Sequence, residues 1–243
     1  MYRLLDIEFE HEGQKKVITP VLLQDEDDFI LVDCGYPNFV PLLEGALSRH
    51  GVTFASISKL IVTHHDMDHI GALAELKRRY PHIEIVSHEM EKPYLEGTRR
   101  SLRLVQAEST LESLLPEARS QAEQFIRLLA SIEPVPVDYT VKSNELFSWC
   151  GGIQIVHTPG HMPGHISLYL PGSETLIGGD VVVIEQGKLE IANPQFTLDL
   201  EEAVRSVKLL LEYDIKELIC YHGGLFQGNV KQALEELVDK YTS

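Results

Sequence analysis

Short apolar runs separated by polar turns dominate the first 35 positions of the chain. Residues 3–9, 16–19 and 29–32 are rich in aliphatic and aromatic side chains, and the polar stretch His11-Glu12-Gly13-Gln14 separates the first two runs. Runs of this length with turn residues between them are typical of β-hairpins. The pattern therefore predicts an antiparallel sheet at the start of the chain.

Alternating helices and strands follow this opening. Residues 41–50 place apolar side chains at helical spacing, and Gly51 ends the segment. The pattern predicts a buried strand at residues 59–62, a helix from residue 70 to about residue 80, and a strand at residues 83–86. This order predicts one half of an α/β sandwich.

The stretch from residue 89 to about residue 136 has a helical pattern. The apolar positions of its second helix recur at helical spacing and are Ala122, Phe125, Ile126 and Leu129. Pro116 separates this helix from an earlier one at residues 98–114. We interpret the stretch as a helical insertion in a single domain that covers residues 1–243.

Strand patterns resume after residue 136. The predicted strands lie at residues 139–141, 153–157, 166–170, 175–177, 181–184 and 218–221. A helix is predicted at residues 198–213, and another ends near Tyr241. The second half of the chain thus repeats the mixture of strands and helices found in the first.

Composition narrows the class of protein. Hydrophobic residues make up 44% and charged residues 24% of the sequence, as in ordinary globular proteins. No apolar run approaches about 18 residues, so no membrane span is expected. The first residues lack the layout of a signal peptide, and the odd count of 3 cysteines suits a reducing compartment. We therefore expect a cytoplasmic protein.

Charge bears on the partner. The 37 acidic and 21 basic residues give a net charge of −16, which disfavours nucleic acid as a substrate. The basic cluster is Arg99, Arg100 and Arg103. Such a cluster is either a solvated helix face or a contact for a small-molecule substrate.

Residues 63–69, Thr-His-His-Asp-Met-Asp-His, contain five side chains that can bind a metal. The stretch lies between a predicted strand and a predicted helix, so it forms a loop held at both ends. A loop of this kind can direct several side chains at one point. The alternative is a polar turn with solvated histidines.

Three later stretches have the same character. Each places a histidine or an aspartate beside glycine at the end of a predicted strand. They are residues 158–165, which contain His161; residues 178–180, which contain Asp180; and residues 222–224, which contain His222. Four such loops together favour a metal site over surface decoration.

In their order and spacing these motifs resemble those of the metallo-β-lactamase superfamily. The superfamily loop reads His-x-His-x-Asp-His and is followed by a Pro-Gly-His, an isolated aspartate and a final histidine. This chain departs from it at Asp66, where the family usually has histidine. The resemblance implies a four-layer αββα sandwich, with two mixed sheets packed face to face between outer helices.

The resemblance also implies a ligand set for two divalent metal ions. One ion would be held by His64, Asp66 and His161, and the other by Asp68, His69 and His222, with Asp180 bridging. Zinc is the first expectation, while manganese and iron are compatible with the harder carboxylate of Asp66. Asp33 resembles the acid that supports the histidine loop, although it could equally cap the following helix.

The resemblance implies a hydrolase in which a metal-bound bridging hydroxide, oriented by Asp68, attacks an ester, thioester or lactone carbonyl. In related enzymes an insertion at residues 89–136 lies over the cleft, which makes Tyr94, Arg99 and Arg103 candidate substrate contacts. Plain helical packing is the competing interpretation. A diiron redox protein and a non-catalytic metal-binding module are the alternative functions. The oligomeric state stays open.

Overall fold

The secondary structure follows the predicted order of strands and helices. The computed structural model describes residues 1–11, 13–25, 28–193 and 195–242. The strands are β1 (Tyr2–Leu4), β2 (Ile7–His11), β3 (Gln14–Ile18), β4 (Val21–Asp25), β5 (Asp28–Val32), β6 (Ile57–Val62), β7 (Glu84–His88), β8 (Tyr139–Val141), β9 (Leu146–Phe147), β10 (Ile153–His157), β11 (Ile166–Leu170), β12 (Thr175–Gly179), β13 (Val183–Glu185), β14 (Lys188–Glu190), β15 (Glu217–Cys220) and β16 (Gly224–Leu225). The helices are α1 (Val40–Ser48), α2 (Met67–Ile70), α3 (Leu73–Arg79), α4 (Lys92–Leu95), α5 (Leu102–Leu111), α6 (Pro116–Ala130), α7 (Leu200–Leu210) and α8 (Val230–Thr242).

Two mixed sheets of six strands each form the centre of the molecule. The first has the order β1-β4-β5-β6-β7-β8, and the second has the order β16-β15-β12-β11-β10-β9. In the first sheet β5, β6, β7 and β8 run parallel, so their carboxyl ends lie at one edge. In the second sheet only β12 and β15 run parallel. The loops after β6, β12 and β15 carry candidate ligands.

Alternating side chains divide each strand between two apolar layers. In β5, Ile30 and Val32 pack between the sheets, whereas Leu31 packs outward. The layer between the sheets takes Ile155 and Ile177 from the second sheet. A strand with period-two alternation and apolar residues on both faces must be covered on both sides.

Helices cover the two outer faces. Leu43 of α1 and Leu76 of α3 pack on the outer face of the first sheet, and Val207 of α7 and Leu234 of α8 pack on the second. The result is a four-layer αββα sandwich, as the family resemblance implies. No helix in the described ranges is both long and apolar enough to cross a membrane.

Several boundaries differ from the sequence prediction. The run at residues 3–9 divides into β1 and β2, because the Leu5 N–H donates to the Pro20 carbonyl outside the strand pairing. The strand predicted at residues 181–184 begins only at β13, because the Val181 N–H donates back to Gly178 in a turn. Helix α5 begins at Leu102, where the Ser101 side chain caps it. Glu12 of the predicted first turn lies outside the described residues.

The segment between β7 and β8 is helical, with α4, α5 and α6 in succession. Leu104 of α5 and Leu129 of α6 pack against Met67, which belongs to the loop that carries four candidate ligands. Phe125 and Ile126 join the edge of this small cluster. The helical segment therefore packs directly on the candidate metal loop.

Candidate metal centre

The loop between β6 and α2 takes its shape from the elements at its ends. The chain leaves β6 at Val62, bends at Thr63 and is extended at Asp66, the residue before α2. The Asp66 carbonyl then accepts hydrogen bonds from the N–H groups of His69 and Ile70, at 2.9 and 3.1 Å, which begins α2. His64 and Asp66 thus lie before the helical turn, and Asp68 and His69 lie within it.

A second loop, after β5, lies against this one at Gly71. A Cβ atom at position 71 would come within 2.2 Å of the Pro37 backbone nitrogen, so only glycine fits. The Cys34 N–H donates to the His69 carbonyl at 2.8 Å. The loop after β5 therefore fixes the backbone that carries His69.

Asp33 connects these two loops through its side chain. Its carboxylate accepts hydrogen bonds from the backbone N–H and the hydroxyl of Thr63, each at 2.8 Å. It also lies 2.8 Å from Nδ1 of His69, which places the ring proton on Nδ1. Helix α1 begins at Val40 with Phe39 at its N-cap position, so Asp33 supports the histidine loop and does not cap that helix.

The candidate ligand atoms form three groups. In each group the atoms lie within 4.8 Å of one another. The groups are His64, Asp66 and His161; Asp68, His69 and His222; and His64, His69 and Asp180. The structure therefore brings together all seven ligand candidates of the sequence, with four from the first half of the chain and three from the second.

Asp180 lies between the first two groups. Its carboxylate oxygens are 3.4 Å from Nε2 of His69, 3.5 Å from Nε2 of His222 and 3.7 Å from Nε2 of His161. Burial by itself would raise the pKa of Asp180, but His222 and His69 hold it well below its ordinary value. The carboxylate is thus ionised and close to histidines of both groups.

The donor atoms suit divalent cations. Nε2 of His64, Nε2 of His69 and Oδ1 of Asp180 are buried without a hydrogen-bond partner among the described residues. Neutral imidazole nitrogens and carboxylate oxygens are the ligands that zinc, manganese and iron accept. Burial would lower the pKa of His69, yet Asp180, Asp33 and Asp68 raise it well above its ordinary value. The site therefore favours positive charge at its centre.

The loop that carries His161 is fixed by the start of α7. Gly160, with φ of +130°, lies against Ala203, where a Cβ atom would be 2.2 Å from the Ala203 nitrogen. The Asp199 N–H donates to the Gly160 carbonyl at 2.9 Å, and the Leu198 N–H donates to the His161 carbonyl at 3.3 Å. The second sheet and its outer helix therefore determine where His161 lies.

His165, which the sequence did not single out, positions Asp180. Its Nε2 accepts a hydrogen bond from the Asp180 N–H at 2.9 Å, and its Nδ1 lies 2.8 Å from the Thr158 hydroxyl. Burial, followed by the neighbouring His161, lowers the pKa of His165 to about 3. The ring is thus neutral and holds the backbone of the acid between the two groups.

His65 lies outside all three groups and serves as a connector. Its backbone N–H donates to Oε2 of Glu91 at 2.8 Å, and its ring forms a second, very short contact with the same carboxylate. The other Glu91 oxygen accepts from the Gly164 N–H at 2.9 Å. Glu91 therefore joins the loop after β6 to the loop that carries His161.

The three candidate substrate contacts lie in different surroundings. Tyr94 stacks on the His65 ring, with centroids 4.4 Å apart and planes 13° apart. Arg99 is exposed at the start of the loop before α5. Arg103 is buried, and its guanidinium contacts both carboxylate oxygens of Asp66, at 3.0 and 2.6 Å. Of the two arginines, Arg99 is exposed to solvent and Arg103 is not.

Two tyrosines complete the wall of the site. The Tyr221 hydroxyl donates to the Asp68 carbonyl at 2.6 Å, and its ring lies 3.9 Å from that of His69. Burial, followed by Asp68 and Asp180, raises the pKa of Tyr36 far above its ordinary value. Tyr36 therefore keeps its proton beside the Asp68 carboxylate.

The αββα sandwich and the three ligand groups define a class of protein. The family model for the metallo-beta-lactamase superfamily matches residues 16–222. This chain belongs to that superfamily. Membership supports a metal-dependent hydrolase that acts on a small molecule.

Individual relatives agree with this assignment. The chain is 28% identical over 235 residues to a probable metallo-hydrolase, YflN, of Bacillus subtilis, covering 91% of this chain and 86% of the relative. It is 24% identical over 163 residues to a hydroxyacylglutathione hydrolase of Brucella ovis, covering 67% of this chain and 46% of the relative. A metallo-beta-lactamase family protein of Thermus thermophilus has a similar fold, with a TM-score of 0.76 at 21% identity over 99% of this chain and 79% of the other.

Proposed function

We propose that the protein is a hydrolase that binds two divalent cations and cleaves an ester, thioester or lactone. The observation that supports this proposal is the assembly of seven ligand side chains in three groups, each within 4.8 Å. The unpartnered buried nitrogen and oxygen atoms of these groups support it further. A hydroxyacylglutathione hydrolase among the relatives favours a carbonyl substrate over a phosphodiester.

The ligand groups suggest how the two cations would be shared. His64, Asp66 and His161 would hold the first, and Asp68, His69 and His222 the second, with Asp180 bridging. Zinc is the expected metal. The Asp66 carboxylate makes the first subsite harder than three histidines would, so manganese and iron also suit it.

The chemistry then divides between the cations and the chain. Bound cations acidify water and polarise a carbonyl oxygen. The Asp68 side chain is 20% exposed, against 8% for Asp66 and 6% for Asp180, so it is the carboxylate most open to the cleft. Asp68 would orient the attacking water and accept its proton.

The helical segment supplies the remaining wall of the cleft. We propose that residues 89–136 are an insertion in one domain, and that Arg99 and the exposed edge of Tyr94 contact the organic part of the substrate. The net charge of −16 argues against nucleic acid as a partner. A small molecule is therefore the expected substrate.

The test is elemental analysis of the purified protein together with a panel of ester, thioester, lactone and phosphodiester substrates. We expect two cations per chain and hydrolysis of a carbonyl substrate that stops on chelation and returns with zinc or manganese. Turnover of phosphodiesters alone would contradict the carbonyl assignment.

Two other outcomes would replace this proposal. A coloured protein that contains iron and consumes dioxygen without hydrolysis would be a diiron redox protein, which the carboxylate at position 66 also suits. A protein that binds both cations but turns over no substrate in the panel would be a metal-binding module.

A further inference from the structure

An arginine of the helical segment is paired with the one candidate ligand that departs from the family pattern. Arg103 lies in α5, and Asp66 lies in the loop after β6. Nε of Arg103 donates to Oδ1 of Asp66 at 3.0 Å, and an Nη atom donates to Oδ2 at 2.6 Å. The two side chains are 4% and 8% exposed. This is a buried two-point ion pair, the strongest geometry open to arginine and a carboxylate.

Each of the three guanidinium nitrogens of Arg103 donates a hydrogen bond to a protein group. The other Nη atom donates to Oε1 of Gln106 at 2.6 Å, and the Phe196 ring lies 5.3 Å from the guanidinium carbon. Gln106 in turn donates to the Gln195 carbonyl at 3.1 Å, which fixes it. The Arg103 side chain is therefore held in one position, and its donors are directed at protein groups and not at the cleft.

The charge at position 66 explains why such a partner is needed. An aspartate in place of histidine adds one negative charge close to the buried Asp33 and Asp180 and the half-buried Asp68. A buried carboxylate without a counter-charge is strongly destabilising. Arg103 contributes one positive charge, so the pair has the net charge of a neutral histidine.

The pair still leaves Asp66 able to act as a ligand. A carboxylate has about four acceptor positions, and the two-point contact with arginine uses two of them. Oδ2 of Asp66 also lies 2.9 Å from Nε2 of His161 and 3.6 Å from Nε2 of His64. The arginine thus holds the carboxylate with one oxygen toward the two histidines of its group.

We propose that Arg103 is a positioning residue for the first cation subsite: it fixes the Asp66 carboxylate and offsets its charge, so that Asp66 and Arg103 together replace the histidine of the family pattern. The helical segment consequently completes the metal centre as well as covering it. This inference rests on the proposed function only where cations are concerned. The ion pair itself can be tested without them.

The first arm is a double-mutant cycle on the metal-free protein, measured by thermal unfolding. Arg103→Met leaves Asp66 buried without its counter-charge, and Asp66→His leaves the guanidinium buried without a carboxylate. Each change alone should lower Tm by roughly 10 °C. The double variant Asp66→His/Arg103→Met should return Tm to within a few degrees of the original, because neither charge remains.

A matched control is Arg100→Met, which removes an exposed arginine paired with Glu108 in the same segment. It should leave Tm unchanged. Equal losses from Arg103→Met in the original and the Asp66→His backgrounds would overturn the proposal, since Arg103 would then act by packing alone. Unchanged Tm in both single variants would overturn it as well.

The second arm uses zinc and manganese in excess. In Arg103→Met a bound cation takes over as the positive partner of Asp66, so the rise in Tm on adding zinc should exceed that of the original protein. The double variant should bind a higher ratio of zinc to manganese from an equimolar mixture, because its first subsite has an added imidazole in place of the carboxylate. Equal rises in Tm and equal metal ratios in all variants would overturn the role in cation binding. If no variant binds either cation, the proposed function fails, and the metal-free cycle still decides on the ion pair.

Discussion

Asp180 lies close to one histidine from each of the two proposed cation subsites. Its carboxylate oxygens are 3.4 Å from Nε2 of His69 and 3.7 Å from Nε2 of His161. If it bridges two cations, its removal weakens both subsites, whereas removal of any other candidate weakens one directly. We expect Asp180→Ala to retain less than one cation per chain after dialysis. Elemental analysis of the purified variant measures this directly.

Asp180→Asn is the matched control for this prediction, because it keeps the volume and one oxygen but removes the charge. It should retain more metal than the alanine variant and less than the original protein. Two full equivalents of metal in Asp180→Ala would show that the two subsites do not share this residue.

His165 gives a pH-dependent prediction for the metal-free protein. Its pKa is about 3 in the folded state, because the ring is buried and lies near His161. An unfolded histidine has a pKa near 6.5, so the unfolded state binds more protons between these values, and stability falls as the pH falls through that window. At pH 5 this one group should cost about 2 kcal/mol relative to pH 8.

The comparison is with His165→Gln, whose amide can accept the same hydrogen bond but does not titrate. Urea unfolding in the presence of a chelator gives the free energy of unfolding of both proteins at pH 8 and pH 5. From pH 8 to pH 5, the free energy of unfolding of the original protein should fall by about 2 kcal/mol relative to that of His165→Gln. A constant difference would mean that His165 is not held neutral by the fold.

Single residues differ in how far the sequence reveals them. The seven ligand candidates could be predicted because they lie in loops at strand ends, in the order of a known motif, and the three from the second half also adjoin glycine. Glu91 and Arg103 could not be paired with His65 and Asp66, because a glutamate or an arginine in a helical stretch has no distinguishing spacing. Their partners become visible only when the segment between β7 and β8 packs on the loop after β6.

Elements were easier to predict than their ends. Periodicity indicated α1, α6, α7 and most strands, since each buries a regular face against the two sheets. The ends depend on single hydrogen bonds. Asp199 caps α7 by accepting from the Glu202 N–H at 2.9 Å, so the helix begins at Leu200 and not at the predicted residue 198.

The contact between two loops gives the prediction at this scale. A Cβ atom at position 71 would lie 2.2 Å from the backbone nitrogen of Pro37, so Gly71→Ala forces apart the loops after β5 and β6. We expect a loss of several kcal/mol in the free energy of unfolding, as for other severe overpacking. Metal content should fall too, because the displaced loop carries His69.

Gly45→Ala is the control, since it adds the same methyl group within α1, where no atom lies within 4 Å of the new Cβ. It should be neutral or stabilise by up to about 1 kcal/mol, because alanine favours helix. Urea unfolding and elemental analysis of the two variants test the prediction. Similar stabilities would show that the loop contact at Pro37 relaxes without cost.

At the scale of the molecule, the candidate ligands come from both halves of the chain. His64, Asp66, Asp68 and His69 follow the first sheet, whereas His161, Asp180 and His222 follow the second. The two sheets already share one apolar layer, in which Val32 and Ile61 face Ile155 and Ile177. The apolar layer therefore holds the halves in register, and the ligand atoms meet at the edge of the sandwich.

This arrangement predicts how cations affect unfolding of the whole protein. A ligand that binds only the folded state at 100 times its Kd adds about 3 kcal/mol to the free energy of unfolding. Since the apolar layer between the sheets does not depend on the ligand side chains, cation binding should bury little further surface, and the denaturant m-value should not change. We expect zinc to raise the urea midpoint of the original protein at constant m, with a smaller rise for Asp180→Asn. A lower m-value in the metal-free protein would instead mean that its native state is more open, and that the cations assemble the site.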